Sequence, residues 1–234
     1  KVLENEIPER VNEIEAPGYK FKDAHIRLGS KIHLKDFYYS EKVFANSYYA
    51  QRFAYLLFDY IKANLKTWLE NREDKENITI LGYGTYSELL LTNLLHILRT
   101  SPETNSCKFE TTTIRDAEGL QCNDESVIKK SKNIILVIPI GTTLTTSLKI
   151  RRKIHETAKA DIIGTPITCI VAGDSETDLV KKYWKDIDKQ SKIITLTDDT
   201  KEKYFIFLKS AWYEPHNCTE CFPNNDSDSL KWLE

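Results

Sequence analysis

The stretch that most constrains the fold is residues 133–154, Asn-Ile-Ile-Leu-Val-Ile-Pro-Ile-Gly-Thr-Thr-Leu-Thr-Thr-Ser-Leu-Lys-Ile-Arg-Arg-Lys-Ile. Residues 134–138 form an unbroken apolar run rich in β-branched side chains. So short a run, bounded by turn formers, reads as a central strand of a parallel sheet covered on both faces. Pro139 and Gly141 are expected to end that strand. Thr142, Thr143, Thr145 and Thr146 then crowd four hydroxyls into five positions, and Leu148, Ile150 and Ile154 recur at helical spacing. The predicted order is strand, threonine loop, helix.

That order gathers the unpaired N–H groups of a helix start, the positive end of its dipole and several hydroxyls at one place. A phosphate monoester fits such a place. The candidate phosphate-binding residues are Gly141, Thr142, Thr143, Leu144, Thr145 and Thr146. No lysine lies in the loop and the Gly-x-x-x-x-Gly-Lys-Ser/Thr pattern is absent, which excludes the P-loop of nucleoside triphosphatases. The competing reading is that Thr145 or Thr146 only caps the helix.

A second strand-loop-helix unit precedes it. Residues 78–81 form the strand, Gly82 and Gly84 free the backbone on either side of Tyr83, and Thr85 or Ser87 opens a helix running through Leu98. This loop is either a second anion-competent turn or an ordinary tight strand-helix connection.

Elsewhere the chain supplies a frame. Residues 1–15 carry Ile7, Val11 and Ile14 at helical spacing before Pro17-Gly18, and alternation about Gly29-Ser30 predicts a hairpin. Residues 46–69 hold the longest helical stripe, and 107–114 and 165–172 read as strands. Asp174 and Glu176 follow the latter, either at a site or as solvated caps, and a helix is expected over 177–187. Residues 192–197 and 203–208 are read as an antiparallel edge pair about the turn at Asp198. Three units result: an N-terminal helix and hairpin over 1–40, an α/β core over 41–211 and a tail over 212–234.

Composition narrows the class. With 234 residues and 41% hydrophobic content the chain can bury a substantial core, and a formal net charge of −2 gives no global attraction for nucleic acid or an anionic membrane. No apolar segment reaches membrane-spanning length, so a cytoplasmic protein is expected. Five cysteines, an odd number, suit a reducing compartment. Methionine is absent even at position 1, so the sequence is expected to begin after the initiator or to come from a processed chain. Cys218 and Cys221 have the spacing of half a tetrahedral zinc site, and His216 is near enough to contribute; a redox pair and packed free thiols are the alternatives.

The threonine run resembles the ribose-phosphate loop of type I phosphoribosyltransferases, with Thr142, Thr143, Thr145 and Thr146 matching its phosphate-binding part. The positions of that motif's acidic pair hold Ile138 and Pro139. Gly82, Tyr83, Gly84 and Thr85 fall on the family's pyrophosphate loop. Residues 25–39 are similar to the substrate hood of the orotate branch, with Lys35 and Tyr38 as the base-side candidates. No Lys/His cluster appears in 115–128, where that branch carries a mobile loop. The resemblance covers roughly residues 27–196. It implies a doubly wound, mostly parallel α/β sheet with an N-terminal hood, and a site for phosphoribosyl pyrophosphate or a nucleotide, with magnesium on the pyrophosphate. With the acidic pair replaced, the resemblance implies ligand capture ahead of transferase turnover. The alternative is a non-catalytic effector module in a prokaryotic stress or defence assembly, docking a protein partner through the Cys-x-x-Cys tail.

Overall fold

The computed structural model describes residues 19–21, 26–27, 33–34, 37–116, 121–122, 128, 130–141, 145–158, 161–164, 166–173, 203–209 and 212–213. Four short strands come first: β1 (Lys20–Phe21), β2 (Ile26–Arg27), β3 (His33–Leu34) and β4 (Phe37–Tyr38). β2 and β3 pair antiparallel, Ile26 with Leu34 and Arg27 with His33, as the hairpin expectation requires. β1 pairs antiparallel with β4.

Helix α1 (Ser40–Ala45) leads through Asn46 into α2 (Ser47–Leu69). Asn46 is the N-cap of α2; its side-chain oxygen accepts from the Tyr48 N–H at 3.0 Å. The long apolar stripe of α2 buries Phe53, Leu57, Ile61 and Leu65. Next come β5 (Asn77–Tyr83), a 3-10 turn (Thr85–Ser87), α3 (Glu88–Thr100), β6 (Lys108–Asp116) and β7 (Gln121–Cys122). The chain continues with β8 (Asn133–Gly141), α4 (Thr145–Ala158), β9 (Asp161–Ile162), β10 (Ile167–Gly173), β11 (Lys203–Lys209) and β12 (Trp212–Tyr213).

The main sheet has the order β11-β10-β8-β5-β6-β7, with β9 added beside β8. Its pairings are parallel except for β6 with β7. β8 is central, and its side chains alternate between two apolar clusters. Ile135 and Val137 join the cluster built with α1, α2 and α3, while Ile134, Leu136 and Ile138 join Ile150 and Ile154 of α4. Helices on both faces explain why this strand reads as continuously apolar. The fold is α/β with a doubly wound, mostly parallel sheet.

One expectation is corrected. β8 does not stop at Pro139; it runs to Gly141. Its ladder to β5 ends at Val137, whereas its ladder to β10 continues through Ile140 and Gly141. Pro139 therefore lies where the β5 side no longer pairs, and its missing N–H costs no ladder bond there. β11 adds parallel to β10, Ile170 opposite Ile206, and the antiparallel partner expected for it over 192–197 lies outside the described residues. The helices expected over 1–15 and 177–187, the strand over 192–197, Asp174 and Glu176 lie outside the described residues. β12 pairs antiparallel with β3, Trp212 with Leu34 and Tyr213 with His33, so the start of the tail joins the hood in a sheet of order β12-β3-β2. Among the described residues, no helix is long and apolar enough to cross a membrane.

Candidate functional site

Strand order fixes where a ligand crevice belongs. From β5 the chain moves outward to β6, then returns across β5 to β8 and moves the other way through β10 and β11. The direction reverses between β5 and β8, and in open α/β sheets that reversal opens a crevice at the strands' carboxyl ends. Both candidate loops leave from this point. Gly82 of β5 is in register with Val137 of β8, so the glycine turn and the threonine loop emerge from adjacent strands at the same edge.

The threonine loop is bounded on both sides. Gly141 is the last residue of β8, half-buried and in register with Val171 of β10. Thr145 and Thr146 are the first two residues of α4, inside its opening turn and not in the flanking cap position. Thr146 is half-buried and Ser147 fully buried. Thr142, Thr143 and Leu144 lie outside the described residues. The two positions that correspond to an acidic pair turn inward: Ile138 is 1% exposed in the α4 cluster, and Pro139 is buried. Neither presents an oxygen to the crevice.

The glycine turn is held by its own chain. Gly84 has a positive φ of 82°, which an L side chain rarely adopts. Its N–H donates to the Ile114 carbonyl of β6 at 2.8 Å, and its carbonyl accepts from the Ser87 N–H at 3.0 Å and the Ser87 hydroxyl at 2.6 Å. Ser87 thus bonds backwards and makes no side-chain cap to α3, although sequence reading offers it as a helix opener. Thr85 starts the 3-10 turn and is exposed; Tyr83 is half-buried. The space a side chain would take at Gly84 is filled by the Tyr86 ring, whose Cε1 is 2.3 Å from an ideal Cβ. At Gly82 the same space is filled by Ser87 Oγ and Leu91 Cδ1, at 2.5 and 2.6 Å.

Tyr86 is the residue that sequence reading missed. Its side chain is hydrogen-bonded to that of Ser40 at the start of α1. Burial pushes its phenol up to about 12, with the neighbouring Tyr83 and the Glu41 carboxylate adding to the shift and the Ser40 bond opposing it. The only sequence signal is an aromatic residue two positions after a glycine.

The hood candidates divide. Tyr38 is 3% exposed and packs in the cluster with Val43 and Phe44, with the Lys20 ammonium 5.3 Å from its ring centre. Lys35, His216, Cys218 and Cys221 lie outside the described residues. A cavity of about 340 Å³ opens near the opposite edge of the sheet, between the end of α2 and the loop before β6, lined by Lys62, Lys66, Lys75, Glu103 and Cys107 among others. It is remote from both candidate loops and does not mark the crevice.

No family model matches the chain, and no curated protein matches it. Solved structures do. The orotate phosphoribosyltransferase of Mycobacterium tuberculosis H37Rv, in complex with inorganic phosphate, superposes with a TM-score of 0.50 at 9% identity, over 89% of this chain and 97% of that one. The orotate phosphoribosyltransferase of Aeropyrum pernix gives 0.44 at 12% identity, over 85% and 93% of the two chains. Leishmania donovani UMP synthase gives 0.45 at 9% identity, over 87% of this chain and 40% of the other. The first of these, near full length in both chains, gives this chain a phosphoribosyltransferase-like fold of type I.

Proposed function

We propose that this chain binds a phosphate ester, either phosphoribosyl pyrophosphate or a nucleotide, in the crevice between β5 and β8, and that capture rather than group transfer is what the site performs. The observation that carries the reading is the position of Thr145 and Thr146 in the first turn of α4, directly after a buried central strand at the reversal of strand order. N–H groups of an opening helical turn have no acceptor within the helix, and hydroxyls beside them complete a set of donors for one phosphate. Gly141, Thr142, Thr143 and Leu144 would complete the loop, with Lys35 approaching from the hood; Tyr38, buried in the core cluster, is not offered to a ligand. The Mycobacterium tuberculosis protein of like fold is in complex with inorganic phosphate, the chemistry proposed here.

Capture is ranked above transfer because Ile138 and Pro139 are buried and apolar. Side chains without acceptors cannot orient ribose hydroxyls, and orientation is a large share of what such a transfer needs. Among the described residues no group of three or more His, Cys, Asp or Glu could hold a metal ion. Magnesium is proposed on the oxygens of a bound diphosphate, where phosphates and waters fill most of its octahedron. A structural zinc on Cys218, Cys221 and His216 is a separate part of the proposal, read by metal analysis of the purified protein. The burial of Ile138 and Pro139 also favours the second reading, an effector module of a prokaryotic stress or defence assembly with a protein partner at the tail.

Calorimetric titration with phosphoribosyl pyrophosphate and with nucleoside monophosphates, each with and without magnesium, tests ligand capture. The paired substitution Thr143→Val and Thr145→Val is expected to abolish ligand-induced thermal stabilisation. If the loop only caps a helix, the pair costs about 1–2 kcal/mol of stability and leaves every ligand effect as it was.

A further inference from the structure

We infer that Tyr86 makes this a one-phosphate site, taking a phosphate monoester such as a pentose 5-phosphate or nucleoside 5′-monophosphate and excluding a ligand that carries a diphosphate at the glycine turn. The inference rests on the reading above and narrows its ligand class.

A glycine turn cradles a diphosphate when missing side chains let the ligand approach the backbone and when N–H groups point at it. Neither condition holds at Gly82 and Gly84. The room beside Gly84 is occupied by the Tyr86 ring, and the room beside Gly82 by Ser87 and Leu91. The glycines serve internal packing. The Gly84 N–H is spent on Ile114 and its carbonyl on Ser87, so a ligand would have to break protein hydrogen bonds to use either group. Gly82 is engaged in the sheet, in register with Thr113 on one side and Val137 on the other.

Displacing the ring is also costly. Tyr86 is half-buried and tied to Ser40, so swinging it out breaks that bond and exposes apolar surface. The glycine turn is therefore closed to a second phosphate, and the first falls to the threonine loop by the reading on which this inference rests.

Ribose 5-phosphate and phosphoribosyl pyrophosphate share the pentose 5-phosphate and differ by the diphosphate, so their affinity ratio reads the closure directly. Calorimetry on the full chain, with magnesium present throughout, is expected to give at least about tenfold tighter binding of ribose 5-phosphate. Tyr86→Ala is expected to raise affinity for phosphoribosyl pyrophosphate by about tenfold while changing ribose 5-phosphate binding by less than about threefold, and Tyr86→Phe, which keeps the ring, is expected to preserve the discrimination. Equal or tighter binding of the diphosphate by the unsubstituted protein overturns the inference and leaves the phosphate-site reading standing. An unchanged ratio in a folded Tyr86→Ala variant, checked by its melting transition, overturns it as well. Should neither ligand bind, the threonine-loop reading fails and takes this inference with it. If Tyr86→Ala does not fold, the ratio in the unsubstituted protein and in Tyr86→Phe decides.

Discussion

Thr112 on β6 is buried, 7% exposed, and its hydroxyl finds no hydrogen-bond partner among the described residues. A buried hydroxyl without a partner has lost its water and gained nothing in return. Valine has nearly the same shape and removes the unsatisfied atom. Thr112→Val is therefore expected to raise the free energy of unfolding by about 1 kcal/mol, read from the midpoint of a urea titration; a loss of stability would show that the hydroxyl has a partner that matters. Single-residue roles of this kind are the least visible in a sequence. Thr145 and Thr146 could be placed from their neighbours because a local pattern of apolar run, loop and apolar spacing surrounds them. Tyr86 could not, since its role depends on folding back over Gly84 and reaching Ser40, forty-six positions earlier, and no periodicity encodes that contact.

At the scale of elements, Asn46 joins two helices and the hood. Its side-chain oxygen caps α2 through Tyr48, and its Nδ2 donates to the Tyr19 hydroxyl at 3.1 Å. Tyr19 in turn meets Tyr49 edge-on, ring centres 5.8 Å apart. Asn46→Ala removes the cap and the tie together, with an expected cost of about 1–2 kcal/mol in chemical denaturation. Asn46→Asp keeps the accepting oxygen and is expected to recover most of that loss; equal damage from both substitutions would assign the effect to the Tyr19 tie instead. α2 was legible because its buried stripe persists through twenty-three residues and its cap residue is a strong start signal. Strand ends were harder. Proline normally stops a ladder, and only the offset ends of the two ladders flanking β8, invisible in one sequence, explain why Pro139 is tolerated. Likewise the parallel addition of β11 to β10 depends on a partner more than thirty positions away, which no local turn signal encodes.

For the molecule as a whole, the class of the fold was readable and the order of its strands was not. Alternation of apolar strands with helices dictates a parallel sheet, but pairing is non-local, and the reversal between β5 and β8 that locates the crevice appears only once the sheet is assembled. The same assembly buries acidic groups that titrate at high pH, which gives the whole chain an alkaline weakness. Cys169 sits in mid β10, fully buried in the cluster beneath α2, and burial drives its thiol far above the ordinary 9.0. Burial raises the Tyr86 phenol as well, and the Cys107 thiol in lesser degree. Each folded-state value lies above its unfolded one, so the stability these groups contribute is complete below the unfolded values and is lost as pH rises through the alkaline range. Above about pH 9 the unfolded chain releases the Cys169 proton while the folded chain keeps it, a slope approaching about 1.4 kcal/mol per pH unit for that group alone. Urea titrations at pH 8 and pH 10 are expected to show a marked fall in unfolding free energy. Cys169→Ala should lower stability at pH 8 by leaving a small cavity, yet lose about 1 kcal/mol less than the parent protein between the two pH values. A parent and variant that fall in parallel would mean that the thiolate forms in the folded state too, and that Cys169 is reached by solvent through motion of β10 or its neighbours.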